Sequence, residues 1–257
     1  MPLTASVVDQ QAALFGHGCH RPGRAKITFG TGAFALAMIG SRLPAATGGL
    51  LPTVAWQEEG QPPRYALDGG VYHAASAVNW ARGLGLFADF AEIDDLPGPS
   101  ALERGLVFVP ALGGLGAPHW DRSAAGLWIG LGLETDRRDL VRAVLEGVAL
   151  RAAEVIEAMA GVAPLDPIIS VDGGMSRNAG FRRFLADALG RTVVVPATAE
   201  VTGLGVAQMA LLGAGLVRLD HDALQARPSV SVTPQRPLSS DLHGRFRAAV
   251  ERSRGWR

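Results

Sequence analysis

The segment Ile168-Ile169-Ser170-Val171-Asp172-Gly173-Gly174, continued by Asn178 to Leu189, Thr192-Val193-Val194-Val195 and Thr202-Gly203-Leu204-Gly205, decides the fold. Ile168 to Val171 is a short apolar run closed by a Gly173-Gly174 turn, which predicts a strand. A helical stretch follows from about Asn178 to Leu189, then a second strand at Thr192 to Val195, then a helix beginning near Thr202. Strand, turn, helix, strand, helix is the alternation of an α/β layer architecture. In such architectures ligands gather where strand ends meet glycine turns and helix N-termini.

Working outward, Asp136-Arg137-Arg138-Asp139 opens a long helix to about Met159, with acidic residues near its start. Leu106 to Val109 and Leu127 to Leu131 read as short apolar strands, and Ala74 to Phe87 as a helix carrying Val78, Trp80, Leu84 and Leu86. Leu51 to Trp56 and Arg64 to Leu67 are further strands. Lys26 to Phe29 and Phe34 to Met38 read as two strands around a Gly-Thr-Gly turn, preceded by helical spacing from Asp9 to Cys19. From about Ser229 the chain is rich in Pro, Ser and Arg before a last helix at Asp241 to Glu251.

The 257 residues suffice for one large or two small domains, and Asp plus Glu equal Lys plus Arg at 24 each. That balance offers no net field for nucleic acid or an anionic membrane. No secretory leader is read at the N-terminus, and no uncharged apolar run approaches the roughly 20 residues of a membrane helix. A single cysteine, Cys19, excludes an internal disulfide framework and fits a reducing compartment, so a cytoplasmic setting is expected.

The chain lacks the Walker phosphate loop, Gly-x-Gly-x-x-Gly and Gly-x-Ser-x-Gly. His17, Cys19 and His20 are metal ligands by type, but without a second Cys/His cluster a packed helix end is the better reading. Phe29-Gly30-Thr31-Gly32-Ala33-Phe34 fits two roles. It is a tight hairpin, or a turn whose bare N–H groups and Thr31 hydroxyl face phosphate oxygens. Val171-Asp172-Gly173-Gly174 likewise either saves space or leaves a flat wall for a nucleotide, with Asn178 supplying an amide.

Taken together, the motifs resemble the FGGY carbohydrate kinases, and among them the glycerol kinases. The landmarks are Asp9-Gln10-Gln11-Ala12-Ala13-Leu14-Phe15-Gly16, Gly30-Thr31-Gly32, Trp80, Phe108-Val109-Pro110-Ala111 and Gly116-Ala117-Pro118-His119-Trp120-Asp121. The run Gly126, Ile129-Gly130-Leu131, Asp139-Leu140, Ala143 and Glu146 resembles the second FGGY signature. Asp172-Gly173-Gly174 and Thr202-Gly203-Leu204-Gly205 continue the match.

The resemblance implies an actin-like ATPase domain of the ribonuclease H-like type, a mixed sheet flanked by helices, and only the second of the two such domains the family carries. On that reading residues 1–8 are a remnant of the link from a first domain, 9–228 the FGGY C-terminal domain, and 229–257 a C-terminal tail with a helix. It implies ATP with Mg²⁺ and a small polyol or sugar, glycerol going to glycerol 3-phosphate. Asp9 would be the catalytic base, although an Asp at a helix start also reads as an N-cap. Gln10 would contact the polyol hydroxyls and Phe34 line the apolar side of the substrate site. Gly30, Thr31 and Gly32 would bind phosphates, and Gly173, Gly174 and Asn178 the adenosine side. Ala75 and Asn79 would also contact the nucleotide, in altered form because glycerol kinases usually carry Gly and Gln there, and Val8 replaces the Gly that usually precedes the base. The first domain would supply the other phosphate loop and most acidic groups around Mg²⁺, leaving the metal ligands of this chain unassigned. A separate N-terminal half or a homo-oligomer would cover the interdomain face. The alternatives are a non-catalytic nucleotide-binding or regulatory module and a relic without function.

Overall fold

The computed structural model describes residues 3–217 and 229–257. Residues 1 and 2 of the expected link, and the expected boundary at 228, lie outside the described residues. The elements are α1 (Asp9–Gly16), β1 (Ala25–Phe29), β2 (Ala33–Gly40), β3 (Leu51–Trp56), β4 (Arg64–Val71), α2 (Ala75–Gly83), β5 (Val107–Val109), β6 (Leu127–Ile129), α3 (Arg137–Val162), β7 (Ile168–Gly173), α4 (Ala179–Leu189), β8 (Thr192–Pro196), α5 (Val201–Gly213), β9 (Ser229–Val232) and α6 (Ser240–Ser253). Seven strands form one mixed sheet in the order β3-β4-β2-β1-β7-β8-β9, and β5 with β6 makes a separate ribbon. The parallel pairs are β1 with β7 and β7 with β8.

Strand alternation divides the sheet into two unlike faces. On one face Ala25, Ile27 and Phe29 of β1 join Ala33, Ala35 and Ala37 of β2 and Ile169 and Val171 of β7 in the main core. That core is closed by α3, whose buried positions recur at helical spacing through Val141, Val144, Leu145, Val148, Ala152, Val155, Ile156 and Met159. Asp136 starts α3 through a reciprocal cap, accepting from Arg138 and Asp139 N–H while Asp139 returns to the Asp136 N–H. On the opposite face Leu36 and Met38 pack with Leu14, Phe15, Trp56 and Met209 beneath α1 and α5.

The contact between α1 and α5 is backbone against backbone. A Cβ on Gly205 would stand 1.9 Å from Ala12 O, and one on Gly16 would stand 2.1 Å from Val201 O. This close approach is what Gly205 of the Thr202-Gly203-Leu204-Gly205 run and Gly16 permit. Gly205→Ala is therefore expected to destabilise the chain by about 1–3 kcal/mol through overpacking. Gly203→Ala, with nothing within 4 Å of its added carbon, is expected to add about 0.5–1 kcal/mol from helix propensity. Denaturation midpoints check the pair, and shifts of the same sign would contradict this packing.

Several elements differ from the sequence expectation: α1 ends at Gly16, short of Cys19, and β4 runs past Leu67 to Val71. α2 stops at Gly83, short of Phe87, because Gly85 takes φ +76° and Leu86 N–H bonds back to Ala81 O, a Schellman termination. β6 ends at Ile129, where Gly130 turns at φ +91° against Gly105 O. A short 3₁₀ turn, Gly174–Arg177, stands between the glycine turn and α4. The segment 229–257, expected as a tail, adds β9 to the main sheet beside β8 and packs Phe246, Ala249 and Val250 of α6 into a buried cluster with Val107 and Val109.

Candidate functional site

The carboxyl end of β1 is where the expected ligand-binding residues gather. The Gly30-Thr31-Gly32 turn joins β1 to β2 and is bound to the start of α2. Ala75 N–H donates to Gly30 O at 3.1 Å, while Ala74 and Ser76 N–H donate to Thr31 O at 2.9 and 3.1 Å. Ser76 Oγ adds a further hydrogen bond to Thr31 O at 2.9 Å. The turn is thus fixed through its carbonyls, and the exposed Thr31 hydroxyl has no hydrogen-bond partner among the described residues. Gly32 has no room for a side chain, since its Cβ would meet Val71 O at 2.6 Å. Ala75 opens α2 and Asn79, exposed, follows it one turn along the helix.

On the other side of β1, Phe29 pairs with Gly173 of β7. Gly173 holds φ +91°, and a Cβ there would lie 2.2 Å from Phe29 O, so both backbone conformation and space require glycine. Gly174 is exposed, with nothing within 4 Å of the position a Cβ would take. Asn178 is already committed. Its Oδ1 accepts from Phe181 N–H at 2.6 Å, capping α4, and its Nδ2 donates to Ile93 O at 2.7 Å. The amide expected to reach a nucleotide therefore fixes the start of α4 in this structure.

Asp9, Gln10 and Phe34 lie on the α1 side of the sheet. Asp9 is the first residue of α1, where its charge complements the helix dipole. It does not cap the helix. The N-cap is Val8, and among the described residues the carboxylate accepts a single hydrogen bond, from Gln10 N–H at 2.7 Å. Phe34, 41% exposed, stands opposite Thr28 in the β1–β2 register. Its ring lies over Gly70 of β4, where a Cβ would meet it at 3.4 Å.

Between α1 and the sheet lies a buried polar cluster. Lys26, Thr28, Asp68, Ser170 and Asp172 share this face by register. Lys26 is fully buried, and its Nζ donates to Gln10 Oε1 and, at 2.9 Å, to Thr28 Oγ1. Burial pulls the ammonium down to about 8, against the upward pull of Asp172, Cys19, Asp68 and Asp9. His17 Nδ1 lies 2.7 Å from Ser170 Oγ, with its Nε2 3.3 Å from Asp172 Oδ2. Burial pushes Asp172 upward, but His17, the Thr28 hydroxyl and Lys26 outweigh it and hold the carboxylate below its ordinary value. Asp68, half-buried, is raised by that burial, with only Lys26 pulling it down.

The sequence pointed to Asp9, Gln10 and Phe34 but passed over Lys26 and Thr28. The signal was there: two polar residues at i and i+2 in Ala25-Lys26-Ile27-Thr28-Phe29 must share one face of an otherwise apolar strand. His17 and His20 have packing partners. Alongside the Ser170 contact of His17, His20 Nε2 lies 2.9 Å from Phe15 O and its ring packs on Phe15 and Trp56. Cys19 is buried between them, and burial pushes its thiol up to about 12.

A second buried network holds the far wall. Ala117 N–H donates to Gly70 O at 3.0 Å, directly behind the Phe34 ring. Arg151 of α3, 1% exposed, donates to Ala117 O at 2.7 Å and to Glu154, which also bonds His119 Nε2 at 2.8 Å. Gly116-Ala117-Pro118-His119 is thereby clamped to both the helix and the sheet. Glu146 of α3 has a comparable role elsewhere. It accepts from Ala101 and Leu102 N–H and from Ser100 Oγ, and burial raises it to about 7.

With this geometry in hand, comparison with known proteins gives one consistent result. Residues 25–214 match the FGGY family of carbohydrate kinases, C-terminal domain. The chain is 42% identical over 259 residues to a glycerol kinase of Thermus brockianus, and 40% identical over 264 residues to one of Geobacter sp. (strain M21). Each alignment covers 100% of this chain and 52% of the relative, so the chain spans about half the length of the curated relatives it matches. Among solved structures, Plasmodium falciparum glycerol kinase with ADP superposes with a TM-score of 0.83 at 31% identity, over 95% of this chain and 50% of that one.

Proposed function

The chain belongs to the FGGY family of carbohydrate kinases through its C-terminal actin-like domain, and from that premise we propose that it forms the nucleotide-binding half of an ATP-dependent polyol kinase that converts glycerol to glycerol 3-phosphate. One observation carries the reading. The Gly30–Gly32 turn, fixed by its carbonyls to the start of α2, lies at the end of the strand beside Asp9, Gln10 and Phe34.

In the proposed reaction the Asp9 carboxylate orients a substrate hydroxyl and takes its proton. The hydroxyl oxygen attacks the γ-phosphorus of ATP in line, and the bond from that phosphorus to the departing ADP oxygen breaks. Gln10 hydrogen-bonds a second hydroxyl, while the Phe34 ring faces the carbon side of the polyol. Thr31, with the bare backbone of Gly30 and Gly32, receives the phosphates. Ala75 and Asn79 on one flank, with Gly173, Gly174 and the Asn178-capped start of α4 on the other, border the nucleoside. Mg²⁺ would arrive on the phosphates: among the described residues no group of three or more His, Cys, Asp or Glu side chains gathers to hold a metal. Phosphoryl transfer needs charge stabilisation from both walls of a cleft. The proposal therefore includes a second actin-like half, in the same polypeptide or as a partner, with self-association as the other way to cover this face. The setting proposed is the cytoplasm, supported by a single cysteine that is free and buried. Among the described residues no helix is long and apolar enough to cross a membrane.

Calorimetric titration with MgATP, followed by coupled ADP-release assays with glycerol and a panel of polyols and pentoses, tests the reading. The expected result is MgATP binding by this chain and glycerol-dependent turnover once the second half is supplied. Binding without turnover for any substrate would instead favour a nucleotide-binding module. Loss of MgATP binding in a folded chain overturns the proposal.

A further inference from the structure

We infer that Lys26 is a positioning residue, its buried ammonium holding the Gln10 carboxamide by the oxygen and so dedicating the amide nitrogen to an acceptor on the substrate. The inference rests on the reading that Gln10 meets the polyol. An ammonium only donates hydrogen bonds, so the Gln10 atom facing Lys26 Nζ must be Oε1. The orientation of a glutamine amide is ordinarily ambiguous; here a buried cation decides it. Gln10 Nε2 then keeps both of its donors, and none of them bonds to a described residue.

Two adjacent residues thereby acquire opposite characters. Asp9, acceptor only, takes the proton of the reacting hydroxyl, and Gln10, presenting N–H, offers a donor to the oxygen of the neighbouring one. Such a pair matches a vicinal diol and discriminates against a substrate lacking the second oxygen. Thr28 completes the arrangement by holding Nζ at 2.9 Å from the strand itself. Lys26 touches no substrate in this scheme and acts through Gln10.

The titratable groups facing Lys26 are Asp9 of α1, Cys19 beyond that helix, Asp68 of β4 and Asp172 of β7, with His17, just past the end of α1, held against Asp172. With the Cys19 thiol pushed up to about 12 and Lys26 pulled down to about 8, a rise of pH through 8 removes the ammonium while the thiol stays protonated. The neutral amine no longer dictates which end of the amide faces it.

The test follows the Gln10 Cδ and Nε2 resonances by NMR from pH 6.5 to 9.5, assigned by their loss in Gln10→Ala. His17 ring protons are recorded separately so that a change at that ring is not mistaken for one at Lys26. In the wild-type chain the Gln10 signals are expected to move as Lys26 loses its proton. In Lys26→Met they are expected to be displaced at pH 7 and flat thereafter. Glycerol affinity, read on the same samples by saturation transfer with MgADP present, should weaken about tenfold across the same window, the worth of one neutral hydrogen bond. 1,3-Propanediol, which lacks the vicinal 2-hydroxyl, should be insensitive. Gln10 signals that ignore pH in the wild-type chain and coincide with those of Lys26→Met overturn the inference, as does glycerol affinity unchanged while those signals move. Should the variant fail to fold, the wild-type titration decides alone. Gln10 signals that follow Lys26 while no polyol binds at any pH would count against the polyol site proposed above, and would leave the lysine–glutamine coupling established.

Discussion

Asp9→Asn is expected to lower polyol-dependent phosphoryl transfer by about 10²–10⁴-fold, the usual worth of a positioned general base. The argument starts from the local structure. Val8, not Asp9, occupies the cap position, and the carboxylate accepts only the Gln10 N–H among the described residues. Its loss therefore removes no helix cap, and asparagine preserves the shape and the Gln10 contact. The Gly30–Gly32 turn is tied instead to α2. MgATP affinity is thus expected to stay within about twofold, placing the whole effect in kcat, as for a group acting only in the transition state. Steady-state kinetics on the two-half assembly, with MgATP titrations of the same protein, measures both. A variant retaining more than about a tenth of parental kcat would remove Asp9 from the base role.

The largest stability effect is expected at Arg151. This guanidinium is almost fully buried, donating to Ala117 O and pairing with Glu154, which His119 also holds. Arg151→Met leaves a carboxylate with most of its surface covered, and removing one member of such a pair costs about 3–5 kcal/mol. Arg151→Met combined with Glu154→Leu should recover much of that loss, because an apolar pair of similar volume carries no uncompensated charge. Burial pushes Glu154 up, but His119 and Arg151 together hold it below its ordinary 4.5. A depressed carboxylate contributes stability that is complete above the unfolded value and lost as pH falls through the folded one. The Arg151 contribution should accordingly fade below about pH 4.5. Urea midpoints for the single and double variants across pH check this. A single variant within about 1 kcal/mol of the parent would mean that the pair is not buried as described.

Most of the fold was legible because its elements carry local signals. Glycine turns, the acidic start of α3 and short β-branched runs placed nearly every strand and helix of the main sheet. β9 was missed because Ser229-Val230-Ser231-Val232 has too little apolar character to announce itself; it is a strand because β8 offers it an edge. The end of α2 was misplaced because apolar residues continue past Gly83, and only the left-handed turn at Gly85 stops the helix. For the candidate site, Thr31, Gly173 and Gly174 were legible as turn chemistry, and Asp9, Gln10 and Phe34 through family resemblance. The polar cluster beneath α1 was not, because it joins residues far apart in sequence, such as Gln10, Lys26, Asp68 and Asp172. Asn178, read from the sequence only as a nucleotide-side amide, also caps α4 in the structure, a role that its place ahead of the helix allows.

The placement of Lys26 and Thr28 on one face of β1 also bears on how the sheet assembles. Strand pairing leaves register ambiguous wherever both faces are alike. A slip of β1 by one residue would turn Lys26 into the apolar layer around Val155, Ile156 and Met159, and set Ile27 and Phe29 against Gln10 and His17. An ammonium stranded there would lack both of its acceptors, a severe penalty in an apolar interior. One charged side chain thus penalises the slipped register, and the alignment that satisfies it is the one that sets the turn after Phe29 in frame.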